Sequence, residues 1–336
     1  MYLLGFVAVC LASSLGVDAS RPAPDASRIQ ADIVEERVGK HKSHWTSPLG
    51  YFVQERASKQ LPGPGQHFKF GALKPWEEIR ELVQNDPDSK LLLLIRHGQA
   101  LSNALQEKLG PDAWTETESK CNYTDTNGDV YNLFDAELTN MGVEQAQYLN
   151  SILDGGGWFK TMSGGAKARA IVSPLSRCLN TALLVTKGLG IKEFSIEEIV
   201  RETLGEDTCD ARRSVSDPNP ELFGPCFFKE GLKTRFPMFD FPIINSQRES
   251  EGEGLGGLGM VSDEDVLWTP TREKQKKQVK RASTFLADLF ESVPENIVPV
   301  ITHSGFIRSL LLAVEREPYR PQNTELVPVI VTRKHK

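Results

Sequence analysis

Two arginines and two histidines fall at positions where chemistry on an anion is possible. Arg96-His97-Gly98-Gln99 follows directly on the apolar run Leu91-Leu92-Leu93-Leu94-Ile95. Arg177 closes Ser173-Pro174-Leu175-Ser176-Arg177, which follows Ala170-Ile171-Val172; His303 lies in Thr302-His303-Ser304-Gly305, after the run Ile297 to Ile301. Each group follows a run too short for a helix and apolar enough for a strand buried on both faces. Open α/β sheets bind ligands at the carboxyl ends of such strands. Arginine forks grip oxyanions, and an imidazole can attack a centre or carry a proton. Three strand ends thus bring Arg96, His97, Arg177 and His303 to one rim.

The elements that hold this rim are readable. Val327 to Val331 is a possible last strand, and Pro299 weakens the case for the strand at Ile297 to Ile301, because proline cannot donate to a ladder. Thr139 is a plausible N-cap for a helix through Leu153. A second helix follows Pro174 and ends near Gly188. Thr269-Pro270 reads as an N-cap and first-turn proline for a third, in which Val279, Ala282, Leu286, Leu289 and Phe290 recur at helical spacing to Val293. Its Lys-rich opposite face reads as solvated. Another apolar helix runs from Phe306 to Val314. Between about residues 205 and 267 the chain is irregular and rich in Pro, Gly and acidic residues, as expected of a cap over the site. Within it Gly252-Glu253-Gly254-Leu255-Gly256-Gly257 has the spacing of a dinucleotide-binding loop, but no strand precedes it and its flanks are acidic, so it is read as a plain loop.

The chain of 336 residues carries a formal net charge of −6, which excludes a global basic field and gives no reason to expect a nucleic-acid partner. Met1 to Val17 lack charged side chains, and Val17-Asp18-Ala19 resembles a small-residue cleavage site, so residues 1–19 are expected to be a signal peptide, with a short membrane anchor as the rival reading. No other run is long enough to span a bilayer. Residues 20–49 are then a flexible N-terminal segment and 50–336 the folded domain, with Pro62 to Gly65 in a lead-in. Beyond the leader four cysteines remain: Cys121, Cys178, Cys209 and Cys226. Four buried thiols are one reading; if the chain is exported, Cys209 with Cys226 is the expected disulfide, since both lie in the irregular segment. Asn122-Tyr123-Thr124 is a glycosylation sequon that only a secretory route would use.

Together, RHGxxxxN at Arg96 to Asn103, SPLxR at Ser173 to Arg177 and THSG at Thr302 to Gly305 resemble the histidine phosphatase superfamily. Trp114, Phe134 to Thr139, Gly142, Gln145-Ala146, and Arg201-Glu202 through Cys209-Asp210 look like the eukaryotic phosphomutase-like subgroup of its phosphoglycerate mutase branch. The resemblance covers about residues 50 to 332. It implies a three-layer α/β/α sandwich around a mostly parallel sheet, with His97 as nucleophile. It further implies Arg96, Arg177 and His303 on the phosphoryl group, and Asn103 and Ser304 as further ligands. Glu202 would be the proton donor and later the base, with Asp207 as runner-up and Asp135 behind it; Arg212 and Arg213 could reach the rest of a polyanionic substrate. No metal or other cofactor is required, since arginine forks and a second imidazole can stabilise the charge that a transferring phosphoryl group spreads over its oxygens.

Departures from neighbouring patterns narrow the reading. Ala100, Leu101, Ser102 and Ser304 do not fit the acid-phosphatase branch, and Arg201 precedes Glu202 where the glycolytic mutase pattern has glutamate followed by arginine. The expectation is an exported phosphomonoesterase working through a phosphohistidine on a small phosphorylated substrate. A phosphoglycerate-type mutase and a catalytically silent secreted binding protein are the alternatives.

Overall fold

The computed structural model describes residues 44–55, 70–163, 168–218, 226, 228–244 and 259–334. The expected leader, the Pro62 to Gly65 stretch of the lead-in and the Gly252 to Gly257 stretch lie outside them. Helices α1 (Trp76–Asn85), α2 (Leu101–Thr115), α3 (Asn140–Asp154), α4 (Trp158–Met162), α5 (Ser176–Val185), α6 (Leu232–Arg235), α7 (Gln275–Ser292) and α8 (Ser304–Ala313) alternate with the strands. A six-stranded sheet runs in the order β1 (His44–Thr46), β8 (Leu326–Lys334), β2 (Ser89–Arg96), β7 (Ile297–Thr302), β5 (Ala168–Val172), β6 (Ile191–Ile196). The β2–β7, β7–β5 and β5–β6 pairs are parallel, while β8 runs antiparallel to β2 and β1 to β8. A separate hairpin joins β3 (Asn122–Thr124) to β4 (Val130–Asn132).

Alternation along β2 builds the two cores. Leu91, Leu93 and Ile95 face Ile79 and Val83 of α1, Ala146 and Leu149 of α3, and Leu179 and Ala182 of α5. Leu92 and Leu94 face Phe285, Leu286 and Leu289 of α7 and Phe306, Leu310 and Leu311 of α8. Burial on both faces is why this strand reads as an unbroken aliphatic run. The result is the three-layer α/β/α sandwich. Among the described residues no helix is long and apolar enough to cross a membrane.

Pro299 does lie inside β7, opposite Leu93. The carbonyls of Asn296 and Thr302 accept from the β2 side and that of Ile301 accepts from Ser173, so odd-numbered residues of β7 face β5. There the pairing covers only Ile171↔Val300 and Val172↔Ile301, and the absent N–H of Pro299 falls just short of the ladder.

Three expectations are corrected. Segment 20–49 is not flexible to its end: His44–Thr46 adds a strand to the sheet edge and Trp45 is buried there against Phe290. Helix α7 starts at Gln275 rather than at Pro270. Thr269 is instead closed into a turn with Thr271, and its carbonyl accepts from Glu206 N (3.0 Å), while Glu273 N donates to Leu204 O (2.7 Å). Contacts with the 204–207 loop thus take backbone groups that an extra helical turn would have used. Thr139 caps α3 as expected, accepting from Gly142 N at 3.1 Å. The disulfide joins Cys121 to Cys226, while Cys178 and Cys209 are free and buried. Cys209 is turned inward under the rim, its Sγ 3.9 Å from Asp210 Oδ1, whereas Cys121 leads into the β3–β4 hairpin at the surface.

Candidate active site

β2, β5 and β7 deliver their carboxyl ends side by side. His97 follows β2, Arg177 lies in the first turn of α5 after β5, and His303 is the N-cap of α8 after β7. The His97 and His303 rings lie edge to face, 5.1 Å between centroids. Gly98 is required by contact rather than by backbone angle, because a Cβ there would overlap the carbonyl of Gly142 in α3.

The tautomer of His97 is set by its neighbours. Nδ1 lies 2.7 Å from Gly98 O, an acceptor, so Nδ1 carries the hydrogen. Nε2 is then a lone pair, and it accepts from Arg177 Nε at 3.2 Å. Burial, then the charges of Arg177 and Arg96, hold His97 well below the usual histidine range, so the ring is neutral and nucleophilic at physiological pH. The same logic fixes His303: Arg177 Nη2 can only donate to its Nδ1 (3.2 Å), leaving Nε2–H for Ser173 Oγ at 2.8 Å. Burial, Arg177 and His97 lower its pKa as well.

A cavity of about 360 Å³ opens over this rim, lined by Arg96, His97, Arg177, Asn103, Ser304 and Glu202 among others. Glu202 is half-buried; its Oε1 accepts from Thr203 N (2.9 Å) and its Oε2 from Gly305 N (3.1 Å) and Ser304 Oγ (3.5 Å). Its backbone carbonyl accepts from Arg281 Nη2 at 2.9 Å. Arg281 belongs to the helix whose basic face reads as solvated in sequence; the lysines there are largely exposed, but Arg281 is buried and also holds the Ile199 and Arg201 carbonyls. Asn103 Oδ1 accepts from Ala100 N at 3.1 Å. His303 sits fully buried behind His97 rather than on the cavity wall.

Three expected site residues sit elsewhere. Arg212 is buried, engaged with Glu198 and with the carbonyls of Arg213, Ser262, Asp263 and Glu264, so it ties down the irregular segment. Arg213 is held by Asp135 (3.0 Å) and Glu137 and stacks on Phe228 at 3.4 Å. Asp135 faces Arg213 and Ser176 rather than the cavity; burial raises its pKa against the pull of Arg213. None of the three lines the cavity. Asp207 does, and it pairs with Arg272 at 2.9 Å.

Other wall residues had no sequence signal. Residues Tyr319 to Glu325 show no periodicity, yet β8 runs antiparallel beside β2 with Ile95 opposite Leu326, so whatever precedes Leu326 must lie beside His97. Pro321 O accepts from Arg96 Nη1 (3.0 Å), and Asn323 Nδ2 donates to His97 O (3.0 Å) and Asn103 Oδ1 (3.3 Å). This stretch places Arg320 at the cavity mouth.

Asp207, Cys209 and Asp210 bring ligand atoms within 4.8 Å of one another, close enough to surround a metal ion. Their chemistry argues against one: both carboxylates are paired with arginines, and burial holds the Cys209 thiol far above its ordinary pKa, hence protonated.

No family model matches the sequence. The chain is 26% identical over 249 residues to a protein of Arthroderma benhamiae named "Probable phosphoglycerate mutase", covering 72% of this chain and 63% of that protein. The chain thus spans less than two thirds of that relative. To "Phosphomutase-like protein 3" of Candida albicans it is 26% identical over 293 residues, 85% of this chain and 79% of the other. The solved phosphoglycerate mutase of Bacillus anthracis aligns over 75% of this chain and 94% of its own with a TM-score of 0.40 and 15% identity, too low to add to the fold described above. By these relatives and its three strand-end motifs, the chain is similar to the phosphoglycerate mutase-like branch of the histidine phosphatase superfamily.

Proposed function

We propose that the protein hydrolyses phosphomonoesters through a phosphohistidine at His97, without a metal ion. The carrying observation is the His97 ring itself: neutral, with Nδ1–H fixed on Gly98 O and the Nε2 lone pair beside the Arg177 fork at the cavity floor. Nε2 attacks phosphorus in line with the leaving oxygen, and Arg96 and Arg177 take up the charge on the equatorial oxygens. Glu202, on the same wall, gives its proton to the departing alkoxide, then takes one from the water that attacks the phosphohistidine.

Hydrolysis is favoured over mutase chemistry because a mutase must hold a bisphosphorylated intermediate while it turns, which calls for a second set of cations. Arg212 and Arg213, expected to reach the rest of a polyanionic substrate, are both engaged outside the cavity, and on its wall Arg272 is paired with Asp207, which leaves Arg320 at the mouth. The test is a panel of phosphomonoesters without added metal, together with 3-phosphoglycerate, following inorganic phosphate and the 2-isomer. Isomer formed faster than phosphate would overturn hydrolysis in favour of the mutase.

We further propose export, with cleavage after Ala19. The Cys121–Cys226 disulfide supports it, since such bonds persist in oxidising compartments, as does the exposure of Asn122 of the sequon in β3. A native protein that still begins at Met1 would refute it.

A further inference from the structure

Arg177 is almost fully engaged before any substrate arrives. Nε donates to His97 Nε2, Nη1 to Cys209 O, and Nη2 to both Asp210 Oδ1 (2.6 Å) and His303 Nδ1 (3.2 Å). A guanidinium has only five N–H groups, so one donor on Nη1 remains. A phosphoryl group that is to be gripped by two donors must take one from an existing partner. Cys209 O is fixed backbone, and His97 Nε2 holds Nε until its lone pair turns to phosphorus, so before the chemical step neither gives way. Asp210 is the partner of like charge to the substrate, and it lines the cavity.

The turn that carries Asp210 is held from behind. Arg201 Nη2 donates to Asp210 O at 2.7 Å, and Arg201 is clasped by both oxygens of Asp265 (2.8 and 2.7 Å). Thr208, two residues earlier, donates to Glu118 O and Lys120 O. With its backbone so anchored, Asp210 presents its carboxylate from a fixed point, and it sets where the arginine points.

We propose that Asp210 is a positioning residue: its carboxyl aims the Arg177 fork at His97 Nε2, and when ionised it withholds Nη2 from an incoming phosphoryl oxygen. The second role makes anion binding depend on a proton. The groups that face Asp210 are Arg177 from α5, Glu202 and Asp207 from the loop after β6, Arg272 from the loop before α7, the buried Arg201 and the Cys209 thiol. Burial pushes Asp210 up to about 7; Arg177 and Arg272 pull it down, and Glu202 and Asp207 push it up. Below that pH the carboxyl is neutral and yields the fork; as pH rises through it, the charge is restored and anion affinity falls.

The inference deepens the proposed hydrolysis, yet part of its test needs no turnover. Sulfate stays a dianion across the range, so its affinity, measured by calorimetry, reports the protein's protons alone. In the wild type the sulfate Kd should weaken about tenfold between about pH 6 and about pH 8, the change for one group titrating near 7 that must be protonated to bind. Asp210→Asn should stay near the tighter value at both. In turnover of an aryl phosphate, Asp210→Ala should lose kcat, and Asp210→Asn should exceed it by about tenfold, because the amide oxygen still accepts from Nη2. An Asn variant with the wild-type sulfate slope, or an Ala variant with wild-type kcat, would overturn the proposal. If no phosphomonoester is hydrolysed but the sulfate slope vanishes in the Asn variant, the hydrolysis reading fails and the anion-linked role of Asp210 stands.

Discussion

Arg177 and Arg212 are equally hidden, at 2% and 1% exposure, and each is surrounded by acceptors, yet one sits at the proposed reaction centre and the other holds up a wall. Arg212 lies in the long irregular segment, and its donors end on four backbone carbonyls and Glu198, a closed set that no ligand can enter. Arg177 lies on the rim of strand ends, where its partners include His97, the proposed nucleophile, and a carboxylate facing the cavity. Burial of an arginine therefore does not mark a site. What separates the two regions is whether an acceptor can give way to substrate, and in a parallel sheet the strand ends supply that opening.

The comparison is broken most directly at His97. If the rim is the reaction centre, His97→Ala should leave less than about 1% of turnover with an unchanged melting temperature, and steady-state kinetics with thermal melts will show it. Next in size is Glu202→Gln, which should cost alkyl phosphates about 10²-fold or more in kcat and aryl phosphates with good leaving groups much less. Equal losses for both would move the proton-donor role to Asp207, the other cavity carboxylate not paired with Arg177.

The sequence carried the rim because strand-end residues are local. Ile95 to His97, Val172 to Arg177 and Ile301 to His303 need only the rule that parallel strands present their carboxyl ends together. The irregular segment was legible as irregular, but its contents were not. Arg213 finds Asp135 and Glu137 from 76 to 78 residues away, and Cys226 finds Cys121 across 105, pairings that no spacing announces. Arg281 was missed for a different reason: among lysines on the same helix it is chemically similar but buried, and the planar fork can satisfy three carbonyls and Glu273 where an ammonium cannot. Arg320 and Asn323 became predictable only once β8 was known to run antiparallel beside β2.

The two arginines give the sharpest contrast. Arg212→Met removes one of the two arginines on the buried Glu198 carboxylate, which keeps Arg201 at 3.1 Å, and takes a donor from four backbone carbonyls; it should lower stability by about 3 kcal/mol, read from denaturant titration. The folded fraction should keep its kcat. Arg177→Met should do the reverse in activity, losing about 10² to 10³ in kcat. An Arg212 variant that is stable but inactive would mean that the irregular segment reaches the chemistry after all.

The disulfide tests how the irregular segment is held. Free-thiol counting on denatured, unreduced chain begun after Ala19 should find only Cys178 and Cys209. Reduction should lower stability by about 2 to 4 kcal/mol, the usual range for a bond that closes a long loop. Four reactive thiols would show the segment to be held by its arginines alone.

The smallest effect is expected at Thr139, where the rim meets a helix. Its hydroxyl accepts from Gly142 N to cap α3, and it also lies 2.8 Å from Gln99 Oε1, two residues beyond His97. Its backbone N–H donates to Gln99 O at 2.9 Å, and this bond survives any side-chain change. Thr139→Ala should therefore cost about 1 kcal/mol through the lost cap, with kcat altered less than twofold, since the close approach of Gly98 to Gly142 keeps the loop in place. A much larger fall in kcat than in stability would show that Gln99, freed from Thr139, disturbs His97. The boundary between chemistry and scaffold would then lie at α3 rather than at the strand end.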